Sequence, residues 1–153
     1  MAKRPRRYSE STTDRRIKEG RGQGRGKKYK PWLLTHDVAS KGRAWRIKGW
    51  KTDRPHHLLS DFEYDYCLIK DWDPSVVDIR EQYPLLPLEE TLALAEECNI
   101  RHLSVRHPTK RGVVILVVMT TDFVLTISEG LNSYDQARTL KYAQDLQVNI
   151  LFS

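Results

Sequence analysis

An aspartate interrupts the most apolar stretch of the sequence. Asp122 lies within VVILVVMTTDFVLTIS, a run rich in β-branched residues and without Pro or Gly, which is typical of a buried strand. A buried carboxylate is costly, so such a residue is usually paired, bound to a metal ion or placed at the end of a strand. The alternative is an edge strand on which Asp122 faces water. Strand alternation puts it on the face opposite to Phe123, Leu125 and Ile127.

A second carboxylate, Glu63, stands at the start of a candidate helix. The segment Ser60-Asp61-Phe62-Glu63 matches a capping box, in which Ser60 caps the helix and the Glu63 side chain returns to the amide of Ser60. The pattern alone therefore favours a capping role for Glu63 over a catalytic one.

Lys141 is the third candidate, and its surroundings allow two structures. In an extended segment, Ala137, Thr139 and Lys141 lie on one face. Alternatively, Ser133-Tyr134-Asp135-Gln136 opens a helix whose apolar stripe includes Ala137 and Leu140. Periodicity alone favours the helix, and the sequence leaves the segment open between the two.

The positive charge of the chain is concentrated at its N terminus. Residues 1–30 carry 12 Lys and Arg against 3 Asp and Glu, a net charge of +9, whereas residues 31–153 carry 14 against 17, a net charge of −3. Such a block is typical of a polyanion partner, most often nucleic acid, and the alternative is a solvated or disordered tail. The alternating glycines from Gly20 to Gly26 exclude a helix interior and let the backbone approach a partner closely.

The composition is that of one globular domain. The chain has 153 residues, of which 39% are hydrophobic and 30% charged, with a net charge of +6. Its longest apolar run, Val113–Met119, is far shorter than the roughly 18 residues of a membrane span. The two cysteines and five histidines lack the spacing of a zinc site. Together with the absence of an apolar leader, these features predict a reduced, cytoplasmic protein.

The order of helix and strand patterns predicts a layered α/β core. A flexible arm is expected first, because the N-terminal residues are charged and lack apolar periodicity. The elements predicted after it are a hairpin over 42–59, a helix over 60–73, a strand over 76–87, a helix over 89–99 and a long strand over 113–128.

Four segments resemble the TnsA family, the endonuclease subunits of heteromeric cut-and-paste transposases. They have the order of that family's N-terminal nuclease domain and run from about Arg15 to Leu146: RRIKEGRGQGRGKKYKPWL, HHLLSDFE, VVDIREQYPLLP and MTTDFV. The resemblance implies a restriction-endonuclease-like α/β fold of the PD-(D/E)XK type, with a mixed sheet flanked by helices. The expected organisation is a flexible, basic, Gly/Arg-rich arm at 1–30, an endonuclease domain at 31–146 and a short unrelated tail at 147–153.

By the same resemblance, the catalytic positions fall on Glu63, Asp122 and Lys141. Glu63 and Asp122 would bind Mg²⁺ or Mn²⁺, with Thr139 as a weaker third ligand where the family pattern has an acid or an amide. The metal would make a bound water nucleophilic for phosphodiester hydrolysis, and Lys141 would hold or polarise that water. Phosphate contacts are expected from seven residues of the arm: Arg15, Arg16, Lys18, Arg21, Arg25, Lys27 and Lys28.

The implied activity is metal-dependent cleavage of the 5′ strand at transposon ends, beside a partner transposase of the DDE type. Family members continue to a C-terminal domain that engages an ATPase regulator, so we expect this chain to be truncated and to have lost that contact. The alternative is a non-catalytic DNA-binding or assembly module. A third possibility is a basic tail on an unrelated structural domain.

Overall fold

The computed structural model describes residues 9–39 and 42–150, with the backbone alone for 147–150, so part of the predicted arm and of the predicted tail lies outside the described residues. The helices in this range are α1 (Glu10–Lys18), α2 (Asp61–Trp72), α3 (Leu88–Glu97) and α4 (Ala143–Ile150), with a 3₁₀ turn at Gly26–Lys28. The strands are β1 (Trp45–Lys48), β2 (Pro55–Leu58), β3 (Val76–Pro84), β4 (Ser104–Arg106), β5 (Val114–Leu116), β6 (Thr120–Glu129) and β7 (Asn132–Arg138). None of these helices is long and apolar enough to cross a membrane.

The main sheet has three strands in the order β3-β6-β7. Both of its pairings are antiparallel, and so are those of two separate hairpins, β1-β2 and β4-β5. The prediction of a mixed sheet is therefore wrong for the described residues, among which every strand pair is antiparallel. A short connection imposes this on β6 and β7, because two residues can join antiparallel strands whereas parallel strands need a crossover of about a dozen.

One face of the main sheet packs against α2 and the β1-β2 hairpin. The core between them consists of Leu58, Cys67, Val76, Ile79, Phe123, Leu125 and Ile127. The alternation predicted for β6 is confirmed, because its three apolar residues on this face all belong to the core. The predicted start of α2 is also confirmed, since the Ser60 hydroxyl accepts a hydrogen bond from the N–H of Glu63 at 3.1 Å.

The glycine-rich segment covers the free edge of β3. The N–H of Trp32 donates to the carbonyl of Gln82 at 3.1 Å. Gly22 allows the close approach, because its φ is +80° and a Cβ there would lie 2.3 Å from Cγ of Pro84. The prediction of a flexible arm is therefore wrong for the described part of residues 1–30, which forms α1 and a loop packed on the sheet edge.

The long strand predicted over residues 113–128 is in fact two strands. β5 pairs with β4, whereas β6 pairs with β3. Between them the chain changes partner: the N–H of Val117 donates to the carbonyl of Leu103 at 3.1 Å, and the carbonyl of Met119 accepts from the N–H of Leu85 at 2.8 Å. A β-branched composition favours extended backbone throughout but does not specify the pairing partner.

The helix that periodicity favours after Ser133 does not form in the described structure, where this segment is β7. A two-residue hairpin with Gly130 at its first position, at φ +61°, returns the chain onto β6. Cross-strand pairing with β6 thus overrides the helical spacing of apolar residues. Lys141 lies between β7 and α4, in neither of the two structures considered for it.

Candidate active site

Glu63 connects the start of α2 to the end of β3. It is 9% exposed, and its Oε2 accepts hydrogen bonds from the N–H of Leu59 at 2.8 Å and from Nε2 of Gln82 at 2.9 Å. The capping box therefore forms only in part, because Ser60 caps the helix but the Glu63 side chain returns to Leu59. The carboxylate is fixed by tertiary contacts as well as by its helix.

Asp122 lies near the start of β6, which is the central strand of the three-stranded sheet. The edge-strand alternative is therefore wrong. The side chain is partly buried, and its Oδ2 accepts a hydrogen bond from the N–H of Leu140 at 2.6 Å. Leu140 in turn packs against the core, so the donor that orients Asp122 is itself held in place.

Glu63 and Asp122 are electrostatic neighbours. Burial raises the pKa of Glu63 to about 7, and the negative charge of Asp122 acts in the same direction. Hydrogen bonds from Leu59 and Gln82 lower it but do not cancel the effect. A buried acid beside a second acid lacks a compensating positive charge, which a bound cation would supply.

The two carboxylates suit a hard divalent cation. Each is anchored through one oxygen, Oε2 of Glu63 and Oδ2 of Asp122, and no hydrogen bond from residues 9–39 or 42–150 occupies the other oxygen. The same residues contain no group of three or more His, Cys, Asp or Glu that could hold a metal ion. Mg²⁺ commonly takes one or two carboxylates and completes its shell with water and substrate phosphate. The pair fits a cation that is shared with a phosphate group.

Comparison with known proteins places this chain in a family. Residues 73–151 match the family model described as TnsA-like endonuclease N terminal. The transposition protein TnsA of transposon Tn7 from Escherichia coli is 49% identical over 130 residues, which are 85% of this chain and 45% of that protein. The chain belongs to the TnsA family. It spans less than half the length of this relative.

In this TnsA-family chain, Thr139 and Lys141 flank the residue that orients Asp122. Both are exposed. The hydroxyl of Thr139 lies 3.1 Å from that of Thr121, so the hydrogen bond it makes is within the sheet. Lys141 follows directly after Leu140, whose N–H contacts Asp122. The backbone thus brings Lys141 close to Asp122 although it lies nineteen residues after it in the sequence.

Gln82 is a site residue that sequence reasoning missed. It is 2% exposed, and its φ of +48° lies in a region that residues other than glycine rarely adopt. The register of β3 and β6 places it opposite Asp122, while its Nε2 donates to Glu63. An amide in a strand gives no signal of this role, because the strained backbone and the contact both depend on tertiary structure. Gln82 thus holds the Glu63 side chain from the strand position that faces Asp122.

The seven predicted DNA-binding residues fall into two groups. Arg16 and Arg21 are 5% and 8% exposed and both pair with Asp37, so the structure uses their charges within the fold. The other five are exposed on the surface: Arg15, Lys18, Arg25, Lys27 and Lys28. Within the described residues, three of these have acidic partners: Arg15 with Glu19, Arg25 with Asp135 and Lys27 with Asp53.

The raised pKa of Glu63 predicts a pH dependence of stability. The folded chain holds the Glu63 proton up to about pH 7, whereas the unfolded chain releases it near pH 4.5. The stabilisation of the folded chain by protonated Glu63 is therefore complete below about pH 4.5 and is lost as the pH rises to 7. Glu63→Gln does not ionise, so between pH 5 and pH 8 the wild type should lose up to about 3 kcal/mol of unfolding free energy relative to this variant.

Urea unfolding at a series of pH values measures this difference, and groups that titrate in both proteins cancel in the comparison. Asp65→Asn is the matched control, because Asp65 is an exposed acid on the same helix. It should keep the pH slope of the wild type. Equal slopes for the wild type and Glu63→Gln would contradict the raised pKa.

Proposed function

We propose that this chain is a metal-dependent DNA endonuclease module that hydrolyses the 5′ strand at transposon ends. The observation that carries the proposal is the proximity of Glu63 in α2 to Asp122 in β6, since burial raises the pKa of Glu63 and the charge of Asp122 raises it further. Membership of the TnsA family supports the same reaction class. The antiparallel sheet with α2 on one face is compatible with the PD-(D/E)XK architecture proposed for it.

Each site residue has a role that follows from its chemistry. A bound Mg²⁺ or Mn²⁺ would neutralise charge on the scissile phosphate and lower the pKa of a coordinated water. Glu63 and Asp122 would hold the cation through the oxygens that the protein leaves unbonded, and Thr139 would be a neutral third ligand if its hydroxyl turned from Thr121. Lys141 would offset the negative charge that develops on the phosphate.

The proposed partners follow from this reaction. The exposed cations of the N-terminal segment would contact phosphates of transposon-end DNA without reading its sequence. The named function of the Tn7 relative is transposition, which supports a DDE-type partner transposase that cuts the other strand. An ATPase regulator is a further proposed partner of the complete system.

The test is metal-dependent nicking of supercoiled plasmid DNA that carries a transposon end. We expect the relaxed form to accumulate with Mg²⁺ or Mn²⁺ and not with EDTA. The assay should include the partner transposase in a parallel reaction, because cleavage in the complex would count as the same activity. Intact plasmid under all metal conditions, with and without the partner, would contradict the enzymatic proposal.

A second candidate function is DNA binding or assembly without turnover. The contact of the Thr139 hydroxyl with Thr121 favours it, because it leaves two carboxylates as the anchored protein ligands. Calorimetric titration with Mn²⁺ separates the two candidates. A chain that binds DNA but no Mn²⁺ would support the binding or assembly function. Mn²⁺ binding by the wild type that is lost in Glu63→Gln would support the nuclease.

A further inference from the structure

A cleft of about 630 Å³ opens beside the glycine-rich segment, away from the two acids. We call it the basic cleft. The residues that the argument uses are Lys18, Lys30, Pro31, Leu34, Arg54 and His57, all of which line it. Three of them, Lys30, Arg54 and His57, are not among the seven residues predicted for phosphate contact.

The uncompensated charge of the basic cleft lies on its two exposed lysines. Arg54 forms a bidentate ion pair with Glu81, at 2.7 and 2.9 Å, so its charge is balanced inside the protein. Lys30 contacts only the carbonyl oxygen of Glu19 at 3.0 Å, and Lys18 makes no ion pair within the described residues. The Glu19 carboxylate, also at the cleft, is itself paired with two arginines. An anionic ligand would therefore be attracted to the lysines.

Two main-chain hydrogen bonds hold the backbone of Lys30 in place. The N–H of Gly22 donates to the carbonyl of Lys30 at 2.6 Å, and the N–H of Lys30 donates to the carbonyl of Gln23 at 3.2 Å. These two bonds fix the strand-like segment from which the lysine extends. A preorganised cation loses less conformational entropy when it binds a phosphate.

The inner wall of the basic cleft is less polar. Pro31 is buried and Leu34 is half-buried, and together they give the cleft an apolar surface. Nδ1 of His57 accepts a hydrogen bond from the N–H of Thr35 at 3.2 Å, which leaves the ring proton on Nε2 as a donor. An apolar wall with one neutral donor and two cations at the rim matches a nucleobase joined to a phosphate.

The basic cleft and the acid pair do not share lining residues, but β2 and the residue after it link them. β2 runs from the cleft at His57 toward Leu59, whose N–H holds Oε2 of Glu63 at 2.8 Å. Two residues of extended chain span about 7 Å. Successive phosphates of one DNA strand are about 3.4 Å apart along the helix axis, so two nucleotides cover about the same distance. A strand whose scissile phosphate lay at Glu63 and Asp122 would reach the cleft within about two nucleotides.

We propose that the basic cleft binds an unpaired nucleotide of the DNA strand next to the cleaved phosphate. Its phosphate contacts Lys18 and Lys30, and its base packs on Pro31 and Leu34. A paired base is held in the duplex stack and does not enter such a cleft without being extruded. This proposal rests on the proposed nuclease function and adds that the preferred substrate has a single-stranded segment at the cut.

The test compares labelled DNA duplexes by fluorescence anisotropy with the full chain in EDTA, so that no cleavage occurs. One duplex is blunt and the others carry a three-nucleotide 5′ or 3′ extension. We expect the wild type to bind one extended duplex about tenfold more tightly than the blunt one. Lys18→Gln with Lys30→Gln should abolish that preference, whereas Lys110→Gln, at an exposed lysine outside both the cleft and the N-terminal segment, should keep it.

Three results would overturn the proposal: equal binding of blunt and extended duplexes by the wild type, a preference that survives in the double variant, or an equal loss of the preference in Lys110→Gln. If a duplex whose extension consists of abasic nucleotides binds as tightly as one with a normal extension, the packing of the base on the apolar wall is overturned. The measurement is independent of turnover. If the chain prefers the extended duplex but cuts no DNA, the nuclease proposal is refuted and the cleft proposal stands. If it cuts DNA but shows no preference, the cleft proposal is refuted and the nuclease proposal stands.

Discussion

Asp122→Asn is expected to reduce metal-dependent DNA nicking at least about 1000-fold. The substitution replaces one of the two proposed anionic metal ligands by a neutral amide oxygen, and the stabilisation that a metal provides in such a reaction amounts to several kcal/mol. A loss of about 4 kcal/mol in the transition state corresponds to this factor. The nicking assay with Mg²⁺ or Mn²⁺ measures it directly.

The same variant should fold normally. The Asn side chain retains an oxygen that can accept the hydrogen bond from the N–H of Leu140, which Oδ2 of Asp122 accepts in the wild type. Removing the negative charge also removes one of the causes that raise the pKa of Glu63. We therefore expect Asp122→Asn to lose activity and Mn²⁺ affinity while its stability at pH 8 is equal to or greater than that of the wild type.

Asp65→Asn is again the control, because it removes an acid of α2 that is exposed to solvent. It should nick DNA at the rate of the wild type. Equal nicking by Asp122→Asn and the wild type would refute the site. If Asp122→Asn does not fold, its loss of nicking says nothing about metal binding. Mn²⁺ titration of Glu63→Gln then tests whether the acid pair binds the metal.

The parts of this fold that local patterns specify could be predicted from the sequence. The start of α2 follows from Ser60, whose hydroxyl needs only the amide three residues later. The apolar face of β6 follows from alternation, and the β1-β2 hairpin and β3 follow from extended runs bounded by turn residues. The assignment of Glu63 and Asp122 as catalytic residues came from the family resemblance, because the capping box alone favoured a structural role for Glu63 and a buried aspartate allows several roles.

The parts of the fold that depend on long-range pairing could not be predicted from the sequence. The sequence does not show that the glycine-rich segment covers β3, since its glycines suit close approach to a phosphate as well as to Pro84. The contact of Gln82 with Glu63 joins residues 19 positions apart through a strained backbone. The segment before Lys141 is extended because β6 offers it a partner, not because its own residues favour a strand.

A buried charge cluster behind the site is the clearest case of such long-range order. Glu81 is fully buried, and it accepts hydrogen bonds from both terminal nitrogens of Arg54, from His56 at 2.7 Å and from the N–H of His57 at 3.0 Å. Burial alone would raise the pKa of Glu81, but hydrogen bonds from His56 and Arg54 lower it to about 2. The cluster fixes the strand position next to Gln82 and so supports the acid pair.

Arg54→Met is expected to lower the free energy of unfolding by about 3–5 kcal/mol at pH 7, because it leaves the buried Glu81 carboxylate with one partner fewer. The guanidinium also donates to the carbonyl of Ile79 at 2.7 Å, which would lose its partner as well. Urea denaturation measures the loss. Arg46→Met is the control, since Arg46 is an exposed arginine on the neighbouring strand β1 and should change stability by less than about 0.5 kcal/mol.

Two further measurements identify the charge as the cause. Because the folded pKa of Glu81 is depressed, its stabilising contribution is present above about pH 4.5 and is lost as the pH falls toward 2. The difference in unfolding free energy between the wild type and Arg54→Met should therefore become smaller as the pH falls. Adding Glu81→Gln to Arg54→Met should recover part of the loss, since the amide oxygen still accepts from His57 without carrying a charge. A gap that is constant with pH and no recovery in the double variant would show that Arg54 acts by packing alone.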